Sequence, residues 1–378
     1  MSKPTSQPAV GLGGLKYDPT KKTRAPEWNV FIALIVLIVV FELLNRLQGN
    51  SFLFNMRANM DTIFNQQRID IMLLQVAVIG IIALGVTQVI IIGGIDLSSG
   101  SVVGMTAMIV MSFAQTLTVN GNPNPKGYWN HELYPWMYDL PVIIPIVVAV
   151  LVGLAAGLVN GLLIAYTKIP PFIATLGMMV SARGVSSWYT NGDPISFPTE
   201  TYAKLANGDV LGQVTFGLIH WEGQNPAVVF FLLAALFHVI MTYTLYGKRS
   251  YAIGSNEAAA RMSGINVDRH KVLVYSIAGI LAAVAALLLT SKNLTAQAGM
   301  GMQYELDAIA MAVIGGVSLS GGRGSILGTV LGAGIFSVII SGFTSIRLDA
   351  YYQEMVKGAI IVGAVVMDQY RQRKRARG

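Results

Sequence analysis

Polar side chains inside otherwise apolar stretches are the residues of this chain best suited to do chemistry. The segment "IIIGGIDLSSGSVVG" (90–104) places Asp96 beside Ser98 and Ser99 within a long hydrophobic region. An ionisable group at membrane depth is costly, so it marks either a functional site or the cap of an interrupted helix. Capping satisfies backbone N–H groups that lipid cannot, and this interpretation is favoured for Asp96, although the two roles are compatible.

Enzymatic chemistry finds little support elsewhere in the sequence. The chain contains no cysteine, which excludes disulfides, zinc–thiolate sites and thiol catalysis. It has no G-x-x-x-x-G-K-[ST] phosphate loop, and "GGRGSILG" (321–328) is one residue out of step with a dinucleotide-binding fingerprint. The histidines lack the spacing of a metal site; they are His131, His220, His238 and His270. We therefore expect no catalytic residues, no metal and no cofactor bound by this chain.

The composition indicates a membrane protein. Of 378 residues, 53% are hydrophobic and only 12% are charged, whereas soluble domains carry about 25% charged residues. The first apolar run, "WNVFIALIVLIVVFELL" (28–44), begins far from Met1 and lacks a small-residue cleavage site after it. We interpret it as a first transmembrane helix rather than a signal peptide.

Ten segments are long and apolar enough to cross the hydrocarbon core as helices. The sequence thus predicts an all-α fold, a polytopic transmembrane helical bundle of about ten spans. The predicted spans are 29–47, 71–93, 98–118, 141–166, 170–189, 226–246, 271–290, 304–319, 325–345 and 355–369.

The distribution of basic residues predicts the topology. If the N-terminal tail is inside, ten crossings place the C-terminal "RQRKRARG" (371–378) inside as well, and most of the 26 Lys and Arg residues then lie on the inner side. This topology explains the formal charge of +7, so nucleic-acid binding is unnecessary. We expect a cytoplasmic tail at 1–27, a membrane domain at 28–369 with a cytoplasmic loop at 247–270, and a basic cytoplasmic tail at 370–378.

Two related motifs indicate an internal duplication. "IGGIDLSSGSVVG" (92–104) resembles "IGGVSLSGGRGSILG" (314–328) when the second copy carries two additional residues. Each copy follows one predicted span and precedes another, so we expect two related halves, running in parallel, with broken helices. Ser318 stands where Asp96 stands in the first copy, so both positions are expected to cap a helix.

Polar groups within the spans should face the interior of the bundle, and glycine-interrupted segments point to the path through a transporter. The candidates for lining a path for a polar, uncharged solute are Asp96, Ser98, Gln75, Gln88, Asn160, Arg183, Ser318 and Ser320. Glycines at four-residue spacing, at Gly153, Gly157 and Gly161, allow helices to approach closely, either within one chain or at a dimer seam.

The inner loop "YAIGSNEAAARMSGINV" (251–267) predicts a short helix. Asn256 is suited to the N-cap, Glu257 to the positive helix end, Ala258–Ala260 to the helix itself, and Gly264 to its termination. The helix is either an ordinary connector or a docking element for a cytoplasmic partner.

At this loop the sequence resembles the permease subunits of bacterial monosaccharide ABC importers, the ribose, xylose and galactose group, with the galactose or methyl-galactoside branch closest and inositol permeases also similar. The motifs lie in the expected order over most of the chain. They are "GGIDLSSGS" (93–101), "GLVNGLLIAY" (157–166), "PPFIATLGMM" (170–179), "AIGSNEAAARMSGINV" (252–267), "YELDAIAMAVIGGVSLSGGRGS" (304–325) and "KGAIIVGAVVMD" (357–368).

The resemblance implies a multi-pass protein of the bacterial inner membrane, a homodimer with a second copy of itself. It also implies a cytoplasmic ATPase subunit that binds the ATP and a periplasmic sugar-binding protein that delivers a monosaccharide. The segment that would couple to the ATPase comprises Gly254, Asn256, Glu257, Ala258, Ala259, Ala260 and Gly264. Glu305 and Asp307 are expected near the outer end of a span, where they either contact the binding protein or cap that helix.

Three alternatives remain at this point. An amino-acid or nucleoside permease of the same superfamily would share the motifs and differ in its solute. A secondary carrier should show buried carboxylates for ion coupling, for which Asp96 is the main candidate. A membrane enzyme would require a catalytic set that the sequence does not contain.

Overall fold

A computed structural model describes residues 26–54, 64–210 and 224–377. His220 and most of the predicted tail 1–27 lie outside the described residues. The helices of the described part are α1 (Pro26–Leu47), α2 (Gln66–Ile91), α3 (Ser99–Ser112), α4 (Ile143–Tyr166), α5 (Pro171–Trp188), α6 (Glu200–Asn207), α7 (Asn225–Tyr243), α8 (Leu245–Ser255), α9 (Glu257–Met262), α10 (Val267–Asn293), α11 (Tyr304–Ile314), α12 (Ile326–Ser345) and α13 (Ala350–Arg377).

Short strands supplement the helices. Strand β1 (Thr118–Val119) pairs antiparallel with β2 (Asn122–Pro123), and β3 (Ile195–Ser196) pairs antiparallel with β4 (Thr295–Ala296). These two-residue pairs fasten loops and form no sheet layer, so the protein is a helical bundle as the sequence predicts.

Every predicted span carries a helix, but six helices of the described residues are long and apolar enough to cross a membrane: α1, α2, α4, α7, α10 and α12. The fold is therefore a polytopic helical membrane bundle, and the count of ten crossings stays a prediction. The predicted span 98–118 is helical only as α3, because the chain turns after Phe113 and Thr116 N–H bonds to the Phe197 carbonyl at 3.0 Å. The predicted span 304–319 is helical only as α11.

Helix α10 lies at the centre of the bundle and packs tightly on α4. A Cβ atom on Gly153 would overlap the carbonyl oxygen of Gly279, and one on Gly157 would overlap that of Tyr275. Glycine lets the two backbones touch, which maximises dispersion contact where lipid supplies no hydrophobic drive. The prediction of close packing within one chain is thus confirmed for these glycines.

The two related motifs both interrupt helices, and the helices before them end in the same way. After α2, Gly93 has φ +80° and Gly94 N–H bonds to the Val89 carbonyl at 2.9 Å. After α11, Gly316 has φ +93°, and Val317 N–H bonds to the Ala312 carbonyl at 3.0 Å. A left-handed residue beyond the helix end is the usual glycine C-cap. The structural match is therefore Gly93 with Gly316, one residue away from the alignment that the sequence suggests.

The two interruptions touch each other at the end of the bundle that carries α9. Gly322 N–H donates to the Ile91 carbonyl at 2.8 Å, and Gly321 approaches Gly93. Gly254, at the end of α8, also packs against this contact, and a Cβ there would overlap the Ile91 carbonyl. We call this end the α9 end.

Helices α1 and α12 lie side by side in the same direction and connect the α9 end to the opposite end. At the α9 end the Ser325 hydroxyl donates to Glu27 Oε1 at 2.8 Å. At the opposite end Asn45 Nδ2 donates to Ser345 Oγ at 2.8 Å. Helix α2 runs the other way, because its end is at Ile91.

Candidate functional site

A buried polar chain of three side chains lies beyond the first interruption. The backbone N–H and the hydroxyl of Ser98 both donate to Asp96 Oδ1, at 2.8 and 2.6 Å. Asn160 Nδ2 on α4 donates to Ser98 Oγ at 2.8 Å. All three residues are at most 3% exposed. The structure therefore brings together three residues that the sequence analysis selected, from two different elements.

The capping role predicted for Asp96 needs a correction. The N-cap residue of α3 is Ser98, and its side chain makes no capping hydrogen bond. Asp96 instead closes a turn two residues before the helix, which is the usual Asx-turn geometry. In the second motif the cap is Ser325, whose hydroxyl accepts from Gly328 N–H at 3.0 Å, and not Ser318.

The N-terminal ends of two short helices, α3 and α11, meet beside these three side chains. A Cβ on Gly100, in the first turn of α3, would overlap Glu305 Oε2 and the Gly301 carbonyl. Glu305 lies in the first turn of α11 and is 8% exposed. Because helix N-termini carry positive partial charge, both helix ends favour a negative charge at this position.

Glu305 and Asp307 are both buried in this chain. Asp307 is 7% exposed, and Lys357 Nζ on α13 lies 3.7 Å from its Oδ2. The N-cap of α11 is Gln303, which makes no side-chain capping bond. Neither carboxylate occupies the N-cap position itself, although both lie in the first turn of α11, and contact with a binding protein stays a prediction.

Arg183 anchors the chain segment that leads into α11. Its Nη1 donates to the carbonyls of Ala298 and Met300, at 2.7 and 3.0 Å. Gly104 on α3 leaves room for the guanidinium, since a Cβ there would lie 2.9 Å from Nη1. Arg183 also interacts electrostatically with Glu305, so it adds positive charge beside that carboxylate.

Several polar atoms around this centre have no partner. Within the part of the chain that the structure describes, Asn160 Oδ1, Ser99 Oγ and Glu305 Oε2 are buried and make no hydrogen bond. Each unsatisfied buried acceptor costs about 1–3 kcal/mol. Solute hydroxyl groups can satisfy such atoms. The cluster of Asp96, Ser98, Ser99, Asn160 and Glu305 is called the central polar site below.

The other predicted path residues lie elsewhere. Gln88 Oε1 accepts from Tyr246 OH on α8 at 2.7 Å, so Gln88 fastens α2 to α8. Gln75 is in the other half of α2. Ser318 is buried in the second interruption, whereas Ser320 is exposed. Sequence reasoning cannot sort these residues because polarity within an apolar segment does not reveal its neighbours.

The α9 end carries the predicted short helix with both predicted termini. Asn256 Oδ1 accepts from Ala259 N–H at 3.0 Å, which is the N-cap bond. Gly264 has φ +83°, and Ile265 N–H donates to the Ala260 carbonyl at 3.1 Å. This is a Schellman ending, in which glycine accepts a left-handed conformation that other residues resist. The capping residues therefore predicted this helix correctly.

A series of ion pairs with alternating charges holds α9 on α10 and on the residue Lys168. Glu257 receives Arg261 Nη2 at 3.3 Å and Lys271 Nζ at 2.7 Å. Arg261 also binds both carboxylate oxygens of Asp268 at 3.0 Å, and Lys168 Nζ reaches Asp268 at 2.6 Å. Partial burial opposes ionisation of Glu257, but Lys271 and Arg261 outweigh it and lower its pKa below the ordinary value.

The outward face of α9 is small and apolar. Ala258 and Ala259 are exposed, Ala260 is buried, and Met262 is 90% exposed. Gly254, predicted to belong to this surface, packs instead against the two helix interruptions. Met262 was missed by sequence reasoning, because a methionine near a helix end gives no signal of its exposure.

Membrane-length helices, two short helices whose N-terminal ends meet inside the bundle, and buried polar groups at that meeting point define a membrane transport protein. Residues 68–365 match the family described as branched-chain amino acid transport system / permease component, and the chain belongs to that family.

Three relatives cover nearly the whole chain. It is 38% identical over 340 residues to the ribose import permease protein RbsC of Bacillus subtilis (strain 168), covering 90% of this chain and 91% of that protein. It is 35% identical over 348 residues to RbsC of Haemophilus influenzae, covering 91% and 93%. It is 34% identical over 350 residues to the galactose/methyl galactoside import permease protein MglC of Escherichia coli (strain K12), covering 92% and 95%. No solved structure gives a significant match.

Proposed function

We propose that this chain is the transmembrane subunit of an ATP-binding-cassette importer that carries a monosaccharide across the bacterial inner membrane. The observation that carries the proposal is its similarity, over about nine tenths of the chain, to permeases named for ribose and galactose import. The bundle with its central polar site is consistent with this role. The ATP belongs to a separate ATPase subunit, because this chain contains no phosphate-binding loop.

The proposed topology has ten crossings with both termini in the cytoplasm. One end of the bundle then contains the start of α1, the end of α2, the loop between α11 and α12, and α9, as their contacts require. Lys168, Arg261 and Lys271 also lie at that end, which agrees with the positive-inside rule. The α9 end is therefore proposed to be the cytoplasmic end.

The central polar site is proposed to contact the sugar in transit. Sugar hydroxyls donate and accept hydrogen bonds, so they fit Asn160 Oδ1, Ser99 Oγ and Glu305 Oε2, which lack partners among the described residues. The same contacts would be weak for an aliphatic amino-acid side chain. Glu305 lies between α3 and α11, which need not move together. A bound solute can therefore favour one arrangement of these two helices over another.

The α9 surface is proposed to dock on the ATPase, and the permease is proposed to act with a second copy of itself. Alanine and methionine side chains can enter a socket of a partner protein, while the series of ion pairs keeps α9 fixed on α10. A periplasmic sugar-binding protein would deliver the solute at the opposite end.

Uptake into proteoliposomes tests the proposal directly. The chain is reconstituted with its ATPase, its binding protein and internal ATP, and radiolabelled ribose and galactose are supplied. We expect uptake only with the complete set. Uptake by this chain alone, indifferent to ATP, contradicts the proposal and indicates a carrier. Competition by leucine, and not by sugars, would instead indicate an amino-acid permease.

A further inference from the structure

A basic cavity lies at the end of the molecule opposite α9. It has a volume of about 500 Å³ and is formed by the ends of α1 and α12 and the start of α2. Three arginines line it, one from each region: Arg46, Arg68 and Arg347. Asparagine and serine side chains supply much of the remaining wall, and no carboxylate lines the cavity among the described residues.

The arginines are only partly neutralised. Arg46 Nε donates to Glu42 Oε1 at 3.2 Å, while Glu42 Oε2 also accepts the backbone N–H groups of Leu53 and Phe54. Arg68 Nη1 is held by Ser341, at 3.1 Å to its carbonyl and 3.3 Å to its hydroxyl.

Arg68 and Arg347 carry charge that no described carboxylate neutralises. Arg68 Nε is buried and has no partner in the part of the chain that the structure describes. Arg347 is exposed and makes no ion pair with any described residue. Helix α2 begins at this cavity after its cap Asn65, which adds the positive helix end. The cavity therefore combines spare donors with uncompensated positive charge, which suits a phosphate group.

The surroundings of the cavity favour a lipid as the source of that phosphate. Along α1 the apolar side chains beside the cavity are exposed, with Leu43 at 55%, Leu44 at 40% and Leu47 at 85%. An acyl chain can lie on this face while the headgroup enters the cavity. The arginines lie at helix ends, where a bilayer places its phosphates.

We propose that this cavity binds the headgroup phosphate of an anionic phospholipid such as phosphatidylglycerol. Arg347 supplies exposed donors, and Arg68 and Arg46 add positive charge to the cavity wall. Bound lipid would join α1, α2 and α12 at this end and stabilise their packing. The proposal concerns lipid binding alone and does not depend on which solute the protein carries.

Native mass spectrometry of the purified full chain tests the site, with phosphatidylglycerol titrated in detergent. The variant Arg347→Gln alters an exposed side chain, and Arg68→Gln/Arg347→Gln removes two of the three arginine charges that line the cavity. We expect the double variant to bind phosphatidylglycerol about tenfold more weakly. The matched control is Arg269→Gln, an exposed arginine at the α9 end, which should bind like the unmodified chain.

Thermal unfolding separates the possible sources and guards against misfolding. Phosphatidylglycerol should raise the Tm of the unmodified chain and of Arg269→Gln, and raise that of Arg347→Gln less. Equal lipid binding by the unmodified chain and the well-folded Arg347→Gln and double variants would overturn the proposal. Stabilisation by inorganic phosphate or glycerol 1-phosphate without lipid retention would also overturn it, because the site would then serve a soluble anion.

Discussion

Gly100 of α3 and Glu305 of α11 are in direct contact, so the N-terminal ends of two short helices face each other inside the bundle. Gly100 lies in the first turn of α3, and Glu305 lies in the first turn of α11. A carboxylate at this position responds to any movement of α3 relative to α11. The contact therefore links the central polar site to the relative position of α3 and α11.

Gly100→Ala should separate these helices and reduce transport. The new Cβ would overlap Glu305 Oε2 and the Gly301 carbonyl, and the backbone cannot yield as a flexible side chain can. We expect initial uptake to fall at least tenfold while membrane expression stays near normal. Gly358→Ala is the control, since no atom lies within 4 Å of the Cβ that it adds. Equal uptake by both variants would contradict a close helix contact.

Asn160→Ala should weaken solute recognition. The change removes the donor to Ser98 Oγ and the unpartnered Oδ1. Losing one hydrogen bond to a solute costs about 1 kcal/mol, so the KM for sugar should rise about fivefold or more. Uptake rates against sugar concentration measure this. Asn191→Ala, an exposed loop residue, should leave KM unchanged, and an unaltered KM for Asn160→Ala would exclude a direct contact.

Met262→Glu should weaken the interaction with the ATPase without affecting insertion. Met262 is 90% exposed on α9, and a carboxylate there cannot be buried in an apolar socket. We expect co-purification of the ATPase subunit to fall at least tenfold. Met302→Glu is the matched control, because Met302 is 61% exposed in the loop before α11 and outside α9. A normal complex with Met262→Glu would place the docking surface elsewhere.

Glu257→Lys should release α9 from its neighbours, since the new lysine meets Lys271 and Arg261. ATP hydrolysis in the reconstituted complex should then lose its stimulation by the sugar-loaded binding protein. Adding Lys271→Glu restores one ion pair and should recover part of the stimulation. Recovery is incomplete because Arg261 still faces the new lysine. Unchanged stimulation in Glu257→Lys would show that the position of α9 does not matter for coupling.

The sequence predicted the local features of this protein well. Asn256 and Gly264 end α9 as expected because capping depends on residues within one or two turns. The glycines of α4 were correctly assigned to close packing, and the apolar segments to helices. The lengths of two helices were predicted incorrectly. Helices α3 and α11 are shorter than the predicted spans, because turns and glycines end them where the sequence remains hydrophobic.

Only the tertiary structure decided which polar residues meet. Hydrogen bonds link Asp96, Ser98 and Asn160 to one another. The structure places Gln75, Gln88 and Ser320 elsewhere, although the sequence made all six residues equal candidates. Gly93 corresponds to Gly316 only once the hydrogen bonds of the helix ends are known. The physical reason is range: caps and helix propensity act within a few residues, whereas contacts such as Gly100 with Glu305 depend on how the whole bundle packs.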